Sequence, residues 1–406
     1  MSLSKHIIYT FVLFFILSFD VNAQSWYQVN SIPGPNRHHP ICFSIDGIGY
    51  LLCGNADQDQ TGQPFLRDFY SYDPANDQWI KKADFPGTPR GFGVGLEYRG
   101  KGYAGFGYGN NRYLDDLWEY DPQTNRWTQL PSCPCAGRTH PAFVAGFGKI
   151  YVGLGGTGRN ADDWWSYDIE SRQWQQEQTF PGAARHHPYY FSIDQIPYVG
   201  FGHSGPPTVI HNDFYKFDPI TGEWEQMNDF PSHGRVAGTH FDHLGKGYIL
   251  AGDGADHGYD VGEFWEYDPL SDTWLQLPTF PADGRWAPGC FDIDGTVYFT
   301  SGFARNTRVL HNDLWGFDLN ITTRNGGVEE DFFTAFPNPT QGALNVSGTQ
   351  DNDVYELFDL NGKKIMTLTA TELTSTIDLS SFQSGIYFLK LKRGKETISS
   401  QRIVKL

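Results

Sequence analysis

Aromatic residues return along the chain at fixed intervals, and the most complete copy of the pattern is FWEYDPLSDTWLQLPTFPADGR, residues 264–285. In this copy Tyr267 is followed seven positions later by Trp274, and Trp274 is followed eleven positions later by Arg285. The seven-residue interval occurs five times, and the eleven-residue interval occurs six times, starting from Trp26, Trp79, Trp127, Trp174, Trp224 and Trp274. A repeat period of about fifty residues is typical of a propeller array.

The pattern continues from each Arg without a change of spacing. Tyr stands thirteen positions after each Arg and Gly four positions after each Tyr, the six glycines being Gly54, Gly107, Gly155, Gly202, Gly252 and Gly302. Stretches such as HHPICFSI, GYLLCG, DFYSYD and QWIKKA predict four short strands per repeat, with Asp-Gly and Asp-Pro turns between them. The chain is therefore predicted to be all-β, with a six-bladed β-propeller.

The last repeat indicates how the ring closes. Seven positions after Phe317 stands Arg324 instead of Trp, whereas Trp26 has no aromatic partner before it. The segment around Trp26 is therefore expected to supply the outermost strand of the blade whose other strands lie in 286–319. This closure leaves no open sheet edge, and it assigns residues 24–320 to the propeller.

The recurring aromatic-to-Trp interval, the Gly after the second strand and the Arg that opens each blade resemble Kelch repeats. The likeness covers about 24–320, and six copies agree. The Kelch double glycine survives only as Gly155–Gly156. This departure predicts an altered backbone on the way into the next loop of the other blades.

Beyond the propeller, residues 321–331 are expected to form a linker and residues 332–406 a small β-sandwich, because short alternating stretches follow one another there. The landmarks of this segment resemble the C-terminal sorting domain of proteins exported by the type IX secretion system of Bacteroidota: Pro337, Asn338, Pro339, Gly362, Gly385, Tyr387 and Lys405. The resemblance implies the type IX machinery as a partner, passage across the outer membrane, removal of the domain, and release or attachment at the cell surface. An ordinary β-sandwich binding module is the alternative.

Residues 1–23 are interpreted as a signal peptide. Lys5 is followed by an apolar run over 7–19 and by the small residues Val21-Asn22-Ala23 before Gln24. The run is shorter than the roughly 20 residues of a comfortable membrane span, although an uncleaved anchor is the alternative, and no stable span is expected after signal removal. The formal net charge of −17 argues against a nucleic-acid partner.

Five Cys in an exported chain leave at least one unpaired. A two-residue turn at Asp46–Gly47 would place Cys42 opposite Leu51, whereas a four-residue turn would place it opposite Cys53 and permit a disulfide. Cys133 and Cys135 stand where other repeats carry Phe or Ile and small residues, so they are interpreted as buried fillers. A metal or redox CxC site is the alternative.

The loops between the second and third strands share one face of the disc with the loops that lead into each first strand. Only the former vary in length, and variable loops on a rigid scaffold are where binding usually occurs. We therefore name the mouth of the central channel on this face as the candidate ligand site. Its candidate residues are Arg37, His39, Arg90, Arg138, His140, Arg185, His187, Arg235, Arg285 and Trp286.

Two roles are open for the six arginines. A residue present in every blade at fixed spacing favours pairing with a carboxylate or carbonyl of the scaffold, whereas a ring of forked donors would also suit an anionic sugar. No cofactor and no metal is expected. His39 and His187 belong to blades on opposite sides of the ring, and the acidic segment from Asp253 to Asp260 lacks a regular Ca²⁺-ligand spacing.

The leading functional hypothesis is a secreted or surface-displayed binding propeller that recognises a glycan or a protein through its loop face. The alternative is a carbohydrate-active enzyme, since Kelch-type propellers include galactose-oxidase-type copper enzymes and a six-bladed sialic-acid mutarotase. The copper chemistry would need converging Tyr and His ligands, and no such set stands out in the sequence. The mutarotase chemistry would need a carboxylate beside an Arg, for which Asp253 or Asp256 near Arg235 is the candidate.

Overall fold

A computed structural model of the chain describes residues 25–56, 64–206, 208–254, 261–319, 334–336, 340–347, 353–359, 363–370, 374–393 and 396–405. The chain divides into two compact units, Met1–Thr323 and Arg324–Leu406. All regular elements in the described ranges are β-strands, so the predicted all-β class is confirmed.

The first unit contains six four-stranded antiparallel sheets among its described residues, and each sheet corresponds to one repeat of the sequence. Strand β1 spans Tyr27–Val29. Blades one to three follow in chain order as β2 (Ile41–Ile45), β3 (Ile48–Leu52), β4 (Phe69–Asp73), β5 (Gln78–Lys81), β6 (Val94–Tyr98), β7 (Lys101–Gly105), β8 (Tyr108–Gly109), β9 (Arg112–Tyr113), β10 (Leu117–Asp121), β11 (Arg126–Leu130), β12 (Ala142–Gly146), β13 (Lys149–Gly153), β14 (Trp164–Asp168) and β15 (Gln173–Gln176).

Blades four to six have the same plan, with β1 added to the sixth. Their strands are β16 (Tyr189–Ile193), β17 (Ile196–Gly200), β18 (His203–Ser204), β19 (Val209–Ile210), β20 (Phe214–Phe217), β21 (Trp224–Gln226), β22 (Thr239–His243), β23 (Lys246–Leu250), β24 (Phe264–Asp268), β25 (Thr273–Leu277), β26 (Gly289–Ile293), β27 (Thr296–Thr300), β28 (Phe303–Ala304), β29 (Val309–Leu310) and β30 (Leu314–Asp318). The pairs β8–β9, β18–β19 and β28–β29 are small extra hairpins between second and third strands.

The innermost strands β2, β6, β12, β16, β22 and β26 contact one another in a closed cycle, which makes the wall of a central channel. The sixth sheet has the order β1-β30-β27-β26, so the N-terminal strand is its outermost strand. Trp26, just before β1, packs against Phe280 and Phe317 at ring-centroid distances of 5.2 and 5.0 Å. The N-terminal strand and the last repeat are thereby joined in one sheet.

The seven-residue interval is a cross-strand contact. Tyr267 and Trp274 are directly opposite in the β24–β25 hairpin, with ring centroids 4.9 Å apart, and the other four pairs occupy the same register. Trp274 also packs edge-on against Phe214 and Phe230 of the preceding blade. Each such Trp thus buries aromatic surface both within its blade and between blades, which explains why the interval does not vary.

The cysteines depart from one expectation. Asp46–Gly47 is a two-residue turn that pairs Cys42 with Leu51, so Cys42, Cys53 and Cys290 are free thiols. Cys133 and Cys135 are buried, as expected of fillers, but they are joined by a disulfide, which the filler interpretation did not foresee. Cys133 occupies the place where other blades put the Phe that stacks on the Arg five positions later, and the linked sulfurs fill that volume.

The second unit holds two sheets, with the orders β31-β32-β35 and β34-β33-β36-β37. Their strands are β31 (Thr334–Phe336), β32 (Ala343–Ser347), β33 (Val354–Phe358), β34 (Lys364–Thr369), β35 (Thr374–Asp378), β36 (Gly385–Arg393) and β37 (Glu396–Lys405). Leu344, Leu357 and Leu389 from both sheets share one buried cluster, which is the core of this unit.

The predicted landmarks of this unit that can be placed have structural roles. Gly385 opens β36, the buried Tyr387 donates its hydroxyl hydrogen to the carbonyl of Gln383 at 2.7 Å, and the buried Lys405 bridges to Thr340. Pro337, Asn338, Pro339 and Gly362 lie outside the described residues, as does the predicted signal peptide. Among the residues described, no helix is long and apolar enough to cross a membrane.

Candidate functional site at the loop face

The six arginines are fully enclosed in the blades. Their relative exposures lie between 0 and 3%. Arg37 places its two terminal nitrogens on the two oxygens of Asp68, both at 2.7 Å, and one of them also donates to the carbonyl of Cys53 at 2.9 Å. The same carboxylate position, just before each third strand, serves the other blades through Asp116, Asp163, Asp213, Glu263 and Asp313.

The carboxylates are held by the third strands as well. Asp116 accepts from the indole nitrogen of Trp118 at 2.8 Å in addition to both terminal nitrogens of Arg90. Burial alone would raise the pKa of Asp116, but the hydrogen bonds and charge of Arg90 outweigh it and hold that pKa below its usual value. These pairs occupy the donors that the ligand role would need, so the placement favours the scaffold role for the arginines.

Backbone hydrogen bonds connect each blade with the next at the same level. Gly54 donates its N–H to the carbonyl of Arg90 at 3.0 Å, and the other five glycines of the repeat make the equivalent bond, ending with Gly302 to Arg37. All six glycines have φ between 80° and 101°. A Cβ on Gly107 would lie 2.5 Å from the carbonyl oxygen of Gly91. Only glycine therefore permits this closed ring of contacts.

The residue after each Arg bridges to the residue after each of these glycines, for example His186 to His203 and Trp286 to Phe303. The same bridge forms at Gly156 and at the five blades without a second glycine. The predicted change of backbone at the lost double glycine is therefore wrong. The difference lies in the side chain at this position. The third blade has Gly156, whereas the other blades have Asn55, Tyr108, His203, Asp253 and Phe303.

Two positions after each Arg, six residues form what we call the neck of the channel: His39, Phe92, His140, His187, Ala237 and Ala287. All six have φ between 49° and 62°, a left-handed conformation that is uncommon outside glycine. Cross-blade bonds stabilise it, including His39 N–H to the carbonyl of Ala287 at 2.8 Å and His140 N–H to that of Phe92 at 3.0 Å. The shared conformation brings neck side chains from different blades together.

Three of the neck residues meet. Nε2 of His39 lies 3.1 Å from Nε2 of His140 and 3.3 Å from Nε2 of His187. Taking one nitrogen from each ring, all three lie within 4.8 Å of one another. The sequence argument that residues of opposite blades are too far apart to converge was wrong, because the neck is narrow enough for imidazole rings to cross it.

A second cluster joins the first through His187. His186, His187 and His203 also have ligand atoms within 4.8 Å of one another, and Nδ1 of His186 lies 2.7 Å from the amide oxygen of Asn160. Burial, together with the charges of neighbouring histidines, lowers the pKa of His39, His140 and His187 well below the usual value. The neck rings are therefore neutral at ordinary pH.

Aromatic rings extend from the neck to the edge of the loop face. Tyr113 in β9 contacts Tyr108, Tyr108 contacts Phe65, and Phe65 contacts Phe92 of the neck, at centroid distances of 5.3, 6.1 and 6.2 Å. Across the neck, Phe92 contacts His39 and His39 contacts Trp286, at 4.8 and 4.6 Å. We call this set the aromatic track. Tyr113 at its outer end is 42% exposed.

Below the neck the channel contains two cavities. The upper one, of about 130 Å³, is lined by neck residues and by Cys42, Tyr190, Thr239 and Cys290. Burial raises the pKa of Cys290 to about 12, so its thiol is a poor nucleophile. The lower cavity, of about 480 Å³, is lined by the acidic residues Glu97, Asp194, Asp242 and Asp292, far along the innermost strands from the loop face.

The predicted site residues thus separate into two groups. His39, His140, His187 and Trp286 gather at the channel mouth, whereas the six arginines lie inside the blades. Sequence reasoning missed Phe65 and Tyr113, because loop residues carry no repeat signal. Of the carboxylates suggested beside Arg235, Asp253 contacts Arg305 at 2.8 Å, and Arg235 itself contacts Glu263. Asp256 lies outside the described residues.

Comparison with known protein families agrees with both units. Residues 13–187 match a family described as the KLHDC2/KLHL20/DRC7 Kelch-repeats domain. Residues 334–405 match a family described as the secretion system C-terminal sorting domain.

Two individual proteins are similar over parts of the chain. An N-acetylneuraminate epimerase of Pasteurella multocida (strain Pm70) is 27% identical over 81 residues, which are 20% of this chain and 21% of that protein. The chain therefore matches about a fifth of the length of this relative. The solved structure titled "Structure of YjhT" superposes with a TM-score of 0.57 at 15% identity, covering 64% of this chain and 89% of the other, which shows a shared fold.

Proposed function

Since the chain is a Kelch-repeat β-propeller followed by a type IX secretion-system sorting domain, we propose that it is a secreted or surface-attached binding propeller whose loop face recognises a glycan. The sorting domain supports delivery to the cell exterior. The similarity to an N-acetylneuraminate epimerase, although short, adds acidic sugars to the ligands to be tested.

The observation that carries the proposal is the aromatic track. Sugar rings present C–H faces that pack on aromatic rings, and Tyr offers in addition a hydroxyl for the polar edge of a sugar. The track runs without a break from the exposed Tyr113 to Trp286 at the channel mouth. The length of the track suits an oligosaccharide better than a single sugar. Arg112, beside Tyr113, provides an exposed positive charge that could pair with an acidic sugar of the oligosaccharide.

The test is a screen of the purified chain against neutral and acidic oligosaccharides, followed by calorimetric titration of the hits. Tyr113→Ala should weaken binding by about fivefold to tenfold, because one stacking contact contributes on the order of 1 kcal/mol. Tyr27→Ala is the matched control, since Tyr27 is 43% exposed but lies on the outermost strand of the sixth blade. The control should bind as the unaltered chain does.

Three results would contradict the proposal. Equal loss in Tyr113→Ala and Tyr27→Ala would show that folding and not the track is affected. If the chain bound a glycoprotein equally well before and after enzymatic removal of its glycans, the ligand would be protein and not glycan. Conversion of a bound sugar, seen as a change in its anomeric or oxidation state by NMR, would replace a binding function with the enzymatic alternative.

A further inference from the structure

The neck of the channel has the geometry of a metal-binding site, and we propose that His39, His140 and His187 bind one divalent transition-metal ion through their Nε2 atoms. The ligand class is the borderline first-row ions that imidazole favours, with Zn²⁺ as the first candidate. This inference is independent of glycan recognition, because metal binding is measured without a sugar present.

The distances match those of such a centre. Zn–N bonds of about 2.0–2.1 Å in tetrahedral geometry place neighbouring ligand nitrogens about 3.3–3.4 Å apart. The Nε2 atoms of His39 and His187 are 3.3 Å apart, and those of His39 and His140 are 3.1 Å apart. Two of the three nitrogen–nitrogen distances are therefore close to the spacing that a bound ion would impose, and the cluster as a whole lies within 4.8 Å.

Hydrogen bonding among the three rings does not account for the arrangement. A neutral imidazole has one N–H, and Nε2 of His39 faces two other Nε2 atoms. The Nδ1 atoms of His140 and His187 are buried and have no hydrogen-bond partner among the described residues. If those Nδ1 atoms carry the protons, the Nε2 atoms of His140 and His187 keep their lone pairs for a cation.

Neighbouring groups favour the ligand state. Nδ1 of His39 lies 2.6 Å from Nδ1 of His38. If Nδ1 of His39 donates its proton to His38, its Nε2 is free to bind a metal, and histidine ligands are commonly oriented by an outer partner of this kind.

Three histidine ligands leave one position of a four-coordinate ion to be filled from outside the cluster. Besides Phe92, the other neck positions are Ala237 and Ala287, which contribute only methyl groups. Three protein ligands with one open position are typical of zinc sites that bind a water molecule or an exogenous ligand.

The experiment uses the chain without a histidine tag, stripped of metal with a chelator and titrated with Zn²⁺ by calorimetry, and with Co²⁺ to record the visible absorption of a four-coordinate ion. One ion per chain is expected. His39→Asn, His140→Asn and His187→Asn should each weaken binding by about tenfold or more. Asn is chosen because it tolerates the left-handed backbone of the neck.

The matched control is His233→Asn, which changes an exposed histidine of a neighbouring loop and should bind as the unaltered chain does. Melting curves of the metal-free variants show that each is folded. His186→Asn distinguishes the two clusters, since it removes a member of the second cluster only.

Three outcomes would overturn the assignment. The first is the lack of a saturable one-to-one titration. The second is loss of binding in His186→Asn with retention in His39→Asn, which would place the ion in the second cluster. The third is equal binding in the unaltered chain and a folded His39→Asn/His140→Asn double variant, which would leave the neck as a plug of stacked rings.

Discussion

The arginine positions and the neck positions are two residues apart in every blade, yet they behave in opposite ways. The first are identical six times, buried, and paired with a carboxylate of their own blade. The second differ among blades, with three His, one Phe and two Ala, while their backbone conformation is the same throughout. Uniform spacing therefore marks the scaffold of this propeller, and chemical variety on a uniform backbone marks its candidate site.

The largest loss of stability is expected when an arginine is removed. Arg37→Ala leaves the carboxylate of Asp68, which is 15% exposed, without its partner, and losing one member of a buried pair costs about 3–5 kcal/mol. Chemical denaturation should show a loss of this size in the free energy of unfolding. Arg37→Ala/Asp68→Asn should recover part of it, because the unpaired charge is gone. A loss below about 1 kcal/mol would contradict the scaffold role.

A smaller effect is expected at the ring of glycines that ties the blades together. Gly107→Ala adds a Cβ 2.5 Å from a carbonyl oxygen at a φ of 94°, and should lower the free energy of unfolding by about 1–3 kcal/mol. The neighbouring position of the next blade is the control. A Cβ on Gly156 would lie 3.0 Å from the hydroxyl of Thr139, and other blades carry side chains there. Equal losses in Gly107→Ala and Gly156→Ala would contradict the distinction.

The buried pairs also predict how the propeller responds to acid. The pKa of Asp116 is lowered in the folded chain, so the unfolded chain binds the proton more readily and stability rises with pH in that window. The stabilisation is complete above the unfolded value, near pH 4, and is lost as the pH falls through the lower folded value. Asp116→Asn should therefore flatten the dependence of unfolding free energy on pH below about pH 4, measured by denaturation at several pH values. An unchanged slope would assign the acid response to other groups.

The sequence predicts the scaffold well because the scaffold repeats. Five equal intervals locate the aromatic–Trp contacts, and six locate the glycine ring and the arginines, without any coordinates. It predicts the site less well for two reasons. The distance across a ring of blades is a tertiary quantity, so the convergence of His39 with His187 is invisible in their separation along the chain. Phe65 and Tyr113 lie in loops of unequal length, where no second copy of the pattern marks them.

The carboxylate partners illustrate an intermediate case. Asp68, Asp116, Asp163, Asp213, Glu263 and Asp313 all stand just before a third strand. Their spacing from the arginine varies with the length of the intervening loop, so an interval counted forward from Arg does not find them. Each carboxylate stands at a constant distance before the aromatic residue of its third strand. An interval counted back from that aromatic would therefore have predicted the partner of each arginine from the sequence.

The smallest effect on stability is expected at the neck. Comparing it with the effect at Arg37 distinguishes site residues from scaffold residues within one three-residue segment. In the metal-free chain, His39→Asn should change the free energy of unfolding by about 1 kcal/mol or less, because His39 retains some solvent exposure and the backbone bond to Ala287 does not depend on its side chain. Arg37→Ala, two residues earlier, should cost several times more. Denaturation of both variants under identical conditions gives the ratio directly. If His39→Asn proved as costly as Arg37→Ala without metal, the neck rings would belong to the scaffold, and their variety among blades would reflect packing.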